Sequence, residues 1–164
     1  MIVQLTWREL IDAARVGVMR QIGALQKNLQ AAHGAELDED RLEGASWGKH
    51  VQGAITECAA AKALGIHWHG DSEGPSDLDA GNAQIRSTTW PKGCLLVHNE
   101  DREDQAFVLV IDRCPRFELV GWLMGADAKN PLWWRDKGKN GRPAFFVPQD
   151  ALNPMASLPR DLIS

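Results

Sequence analysis

The segment Ala106 to Asp112 reads Ala-Phe-Val-Leu-Val-Ile-Asp, apolar at every position but the last. A strand with one wet face alternates apolar and polar side chains, because successive residues point to opposite faces. Without that alternation, both faces must be covered, as in the interior of a layered α/β domain. Weaker strand signals surround this run. Asn82 to Trp90 carries Ile, Thr and Trp, Pro91-Lys92-Gly93 is a turn, and Cys94 to His98 returns as a strand, which predicts a hairpin. Arg116 to Met124 follows Pro115 as the next strand. Asp127 to Lys129 starts a short helical turn, and Phe145 to Val147 is a last strand closed by Pro148. Ile66 to His69 reads as a short strand, and Gly70 to Gly81 as a loop.

Helices come first. Thr6-Trp7-Arg8-Glu9 is a capping-box pattern. Helical sequence runs from there to about His33, with Gly34 as its stop. The acidic stretch Glu36 to Glu43 reads as a linker. Ser46 caps a second helix from about Trp47 to Leu64, where Trp47, Val51, Ala54, Ile55, Cys58 and Ala61 share a face. Glu57 sits on the margin of that face. The expected architecture is α/β: a mixed sheet of about five strands flanked by helices. Residues 1–44 are set apart as an N-terminal helical extension and acidic linker, 45–153 as the α/β domain, and 154–164 as a poorly ordered tail. The first helix would pack on the sheet or on a partner subunit, giving a homo-oligomer.

Charge and cysteines narrow the function. The formal net charge is −4, which weighs against a protein that coats nucleic acid by charge alone. The basic residues are clustered, however: Arg113, Arg116, Lys129, Arg135, Lys137, Lys139 and Arg142 face only Glu118, Asp127 and Asp136 in that span. This is a candidate DNA-binding face or a solvated mixed-charge one. Cys58, Cys94 and Cys114 are odd in number and widely spaced, reading as free thiols in a reducing compartment. No apolar run is long enough to span a membrane, and no basic-then-apolar leader opens the chain. The expected location is therefore cytoplasmic.

One constellation carries chemistry. On the strand that follows the loop, Gln84 and Arg86 lie side by side on one face. Asp79 is five residues before Gln84, and Asp77 two before that. Phosphodiester hydrolysis needs a hard cation on oxygen ligands and a positive group for the developing charge. Asp79, Glu57 and Gln84, with Asp77 nearby, can supply the oxygens for Mg²⁺ or Mn²⁺, and Arg86 the positive group. Glu57 also reads as an edge salt bridge, with His50 as its partner.

At these residues the chain resembles the PD-(D/E)XK nuclease superfamily, in particular its small phage-type members. Glu57 matches the family's helix acid, Asp79-Ala80-Gly81 its Asp position, and Gln84-Ile85-Arg86 its last element. Val120-Gly121-Trp122, Asp127-Ala128-Lys129 and Phe145-Phe146-Val147-Pro148 resemble its closing strands, so the likeness covers about residues 46–153. It implies a restriction-endonuclease-like fold and Mg²⁺-dependent cleavage of DNA in a bacterial cell or a phage-infected host. Gln84 stands where an acid is more usual, and Arg86 where lysine is. Arginine stays protonated, so Arg86 would clamp a phosphate rather than take a proton from water. Lys92, Arg113, Lys129, Arg135 and Lys137 would meet the DNA backbone. The alternative is a catalytically inactive relative that binds DNA or serves as a phage interaction protein.

Three other patterns are weaker. His67 and His69 lack a third zinc ligand at close spacing. Trp133-Trp134 beside Arg135 suits either stacking on unpaired bases or core packing. Neither a Gly-x-Ser-x-Gly nucleophile turn nor a Gly-x(4)-Gly-Lys-Ser/Thr loop is present.

Overall fold

The computed structural model describes residues 1–26, 39–70, 83–136 and 143–163. Asp77, Asp79 and Lys137 lie outside the described residues, as do the Gly34 helix stop and most of the Gly70–Gly81 loop. The elements are β1 (Ile2–Gln4), α1 (Trp7–Gln26), α2 (Glu39–Leu64), β2 (Ala83–Thr88), β3 (Leu95–Val97), β4 (Ala106–Arg113), β5 (Arg116–Met124), α3 (Gly125–Ala128), β6 (Trp134–Arg135) and β7 (Ala144–Val147). They form an α/β protein with two sheets, ordered β1-β5-β4-β2 and β3-β7-β6.

All of Ala106 to Asp112 is buried, as its composition requires. Ala106, Val108 and Val110 face a core shared with Leu10 and Ala13 of α1 and with Cys58, Ala59, Ala60 and Leu64 of α2. Phe107 and Leu109 face the other way, against Leu95, Val97, Phe145 and Val147. The layers are thus two helices, the four-stranded sheet, and the three-stranded sheet.

Several expectations change. β2 does not form a hairpin with β3. It pairs in parallel with β4, Ala83 opposite Ala106, while β3 pairs antiparallel with β7 in the second sheet. The turn is real, with the Gly93 N–H donating to the Trp90 carbonyl, but it carries the chain between layers. β3 is needed there, because Phe107 and Leu109 would otherwise face water. Ile66 to His69 is not a strand, and α2 begins at Glu39, inside the stretch read as a linker.

The chain's two ends also belong to the body of the fold. β1 pairs with β5, and Leu5, Leu10 and Ala13 are buried in the common core, so residues 1–26 are not a detached extension. The opposite stripe of α1, with Trp7, Ile11, Ile22 and Leu25, stays exposed. At the other end, Met155, Leu158 and Ile163 are buried, and the Trp122 indole N–H donates to Ser157 Oγ. The segment read as a poorly ordered tail packs into the core that the sheet shares with α1 and α2.

The capping box forms as its spacing predicts. The Thr6 backbone N–H and hydroxyl donate to Glu9 Oε2 at 2.6 and 2.8 Å, and the Glu9 N–H donates to Thr6 Oγ1 at 3.3 Å. Lys62 of α2 joins at 2.7 Å and ties the start of α1 to the end of α2. The Lys62 hydrogen bond, reinforced by Thr6, lowers the Glu9 carboxyl from 4.5 to about 2. A carboxyl depressed by folding stabilises the fold above its unfolded value, and that contribution is lost as the group protonates. The stability gap between wild type and Glu9→Gln is therefore expected to be full above pH 4.5 and to close as pH falls to about 2. Urea titrations across that window check it, and a pH-independent gap would contradict the assignment.

No helix among the described residues is long and apolar enough to cross a membrane.

Candidate functional site

β2 is an edge strand, and its alternation decides what each side chain meets. Ala83 and Ile85 enter the core under the helices. Gln84 and Arg86 lie opposite Phe107 and Leu109 in register, so they share the face that looks toward the second sheet. The Arg86 guanidinium carbon sits 5.3 Å from the centre of the Phe107 ring, a cation–π distance. Its NH1 donates to Gln84 Oε1 at 3.3 Å. Its NH2 donates to both oxygens of Asp101, at 3.1 and 3.0 Å. The two side chains are 28% and 17% exposed, so solvent screens this pair only partly. Arg86 Nε is buried with no hydrogen-bond partner. Such an orphaned donor costs on the order of 1–3 kcal/mol.

Asp101 is held firmly. Its carboxylate accepts from the His98 N–H at 2.8 Å. The loop around it is gripped by the turn that starts α3: the Gly125 and Ala126 N–H groups donate to the Gln105 and Glu103 carbonyls. A Cβ on Gly125 would fall 2.2 Å from the Arg102 carbonyl oxygen, so only glycine permits this approach. Lys129 completes the grip by donating to the Asn99 carbonyl at 2.9 Å. With a side chain 13% exposed, Lys129 is an anchor for this loop rather than a free contact for DNA.

The helix acid is placed elsewhere. Glu57 is buried between α1 and α2, where Arg20 NH1 and NH2 meet its two oxygens at 2.7 and 2.8 Å. It lies on the helix side of the sheet, whereas Gln84 and Arg86 are on the far side. Glu57 therefore does not converge with them, and both of its oxygens are committed to Arg20. The salt-bridge reading of Glu57 is the one the geometry matches, with Arg20 in place of His50. The physical reason is the strand period: Ile85 must face α2, so its neighbours must face away.

The remaining candidates are scattered. Lys92 is exposed in the turn after β2. Arg113 is exposed at the far end of β4, ~20 Å along the strand from Ala106. Arg135 folds back onto the Leu132 and Trp134 carbonyls. Trp133 packs against the second core, and Trp134 meets Phe145 edge-on at 4.8 Å. The His67 and His69 rings touch each other at 4.7 Å. The three cysteines are free. Among the described residues, no group of three or more His, Cys, Asp or Glu side chains could hold a metal ion.

Two residues that matter here escaped the sequence reading. Arg20 follows Leu10, Ala13 and Gly17 at helical spacing, so a charge in that stripe was a legible signal for a buried partner. Asp101 sits among acids that look solvated, and no spacing singles it out.

No family model, curated protein or solved structure matches this chain. What the fold defines is an α/β protein with a Gln–Arg–Asp niche on the edge strand of its larger sheet.

Proposed function

We propose that this chain is a metal-dependent nuclease of the restriction-endonuclease-like kind, hydrolysing DNA phosphodiester bonds in phage or bacterial DNA metabolism. The observation that carries the reading is the pairing of Gln84 and Arg86. A neutral amide oxygen and a permanent cation are held 3.3 Å apart on one strand face, next to a third polar group, Asp101. Asp79 precedes Gln84 by five residues and Asp77 by seven. The donor set of Asp79, Gln84 and Asp77 is all hard oxygen, which suits Mg²⁺ or Mn²⁺. Glu57 takes no part. When bound, the cation would polarise the phosphate and acidify a water. Arg86 would orient the scissile phosphate and offset its developing charge.

A second reading has its own support. Two of the described acids, Glu57 and Asp101, are neutralised by arginines. That arrangement favours a DNA-binding relative that does not cleave.

Incubating the protein with linear, circular and branched DNA plus Mg²⁺ or Mn²⁺ separates the two. For a nuclease, Arg86→Ala is expected to slow cleavage roughly 10²-fold or more, as removal of a charge-stabilising donor does. Asp79→Ala should reduce cleavage to background. Cleavage that survives Asp79→Ala rules the site out, and salt-sensitive binding without cleavage selects the second reading.

A further inference from the structure

Arg86 is the cation of the proposed site, yet its guanidinium is already engaged by a residue outside the motif. The way it is engaged is informative. A carboxylate matched to arginine usually takes two nitrogens in parallel. Here NH2 alone serves both Asp101 oxygens, NH1 turns to Gln84, and Nε is left buried without a partner. The Nε–NH2 edge is half used. Asp101, meanwhile, is fixed by the His98 N–H, and its loop by the α3 turn and Lys129. So the acid is rigidly mounted, while the arginine keeps an unspent donor.

We infer that Asp101 is a positioning residue for Arg86, and that a substrate phosphate displaces it. At rest, Asp101 neutralises the guanidinium and aims it. On binding, the guanidinium turns away from the fixed Asp101 carboxylate, which gives up NH2, and the turn uncovers the buried Nε so that two phosphodiester oxygens take the Nε and NH2 donors. The inference rests on the nuclease reading for its catalytic half; its binding half requires only a phosphodiester at Arg86. Asp101 thus acts in opposite directions. It competes with phosphate for the cation, and it sets the cation's geometry for reaction. A residue with a merely structural role would not separate these effects.

The test uses the full chain and a labelled DNA oligonucleotide, bound without metal and cleaved with Mn²⁺. Asp101→Asn keeps the shape and removes the charge. DNA is expected to bind roughly threefold tighter or more, because the cation loses its competitor. At saturating DNA, kcat is expected to fall roughly tenfold, because the cation loses its aim. The double variant with Arg86→Ala should bind like Arg86→Ala alone, since the effect runs through Arg86. A folded Asp101→Asn protein with unchanged DNA affinity overturns the inference. If wild type binds but does not cleave, the nuclease reading fails separately, and the affinity change still decides this one. If wild type binds no DNA, both fail. Should Asp101→Asn not fold, the Arg86 Nε–H resonance of wild type decides: it must shift when the oligonucleotide is added, and an unmoved signal overturns the exchange.

Discussion

Replacing Arg20 with alanine is expected to cost about 3–5 kcal/mol of stability, the usual penalty for leaving one member of a buried ion pair alone. Arg20 and Glu57 are each 8% exposed, and two hydrogen bonds join them across the α1–α2 interface. Removing the guanidinium leaves a nearly buried carboxylate without its Arg20 partner. The helix pair must then open to hydrate that charge or keep it uncompensated. Replacing both partners with apolar residues of similar volume should recover most of the loss, because the pair's attraction only offsets its own desolvation. Urea unfolding of the two single variants and the Arg20→Met, Glu57→Leu double variant measures this. A loss below about 1 kcal/mol would place Arg20–Glu57 among ordinary exposed pairs and contradict the packing. The same variants bear on chemistry. If Glu57 were a metal ligand, Glu57→Gln would abolish cleavage while leaving stability nearly intact. Its position predicts the reverse.

Gly17→Ala is expected to destabilise by about 2–3 kcal/mol, against the trend for exposed helices, where the exchange gains up to ~1 kcal/mol. A Cβ at Gly17 would sit 2.4 Å from Val51 Cα and 2.6 Å from the His50 carbonyl oxygen. These are backbone atoms of α2 and cannot rotate aside. The helices would have to separate, and the nearby Arg20–Glu57 bonds would stretch with them. The two losses should therefore be less than additive when combined. Thermal or urea unfolding of Gly17→Ala checks the sign. A stabilised variant would mean that the helices do not approach this closely.

Much of the fold was legible from local pattern. The unbroken apolar run at Ala106–Asp112 announced a strand covered on both faces, and the Thr6–Glu9 spacing announced a helix start. The placement of Gln84 and Arg86 on a common face followed from strand period alone. Less legible was anything set by a distant partner. Ile2–Gln4 is too short to signal a strand without β5 beside it. Leu95–Val97 reads as the return arm of a hairpin until Phe107 and Leu109 require cover. Met155, Leu158 and Ile163 look like a loose tail because their burial depends on a sheet that precedes them by some thirty residues.

The candidate site divides along the same line. Residue chemistry and a two-residue repeat were enough to pair an amide with a guanidinium, since side-chain direction in a strand is a short-range steric matter. Which layer covers which face was decided by global burial of apolar surface. That choice put Glu57 with Arg20, 37 residues away, and brought Asp101 to Arg86 across 15 residues of chain. Period assigns side chains to faces, whereas only packing determines what each face will meet.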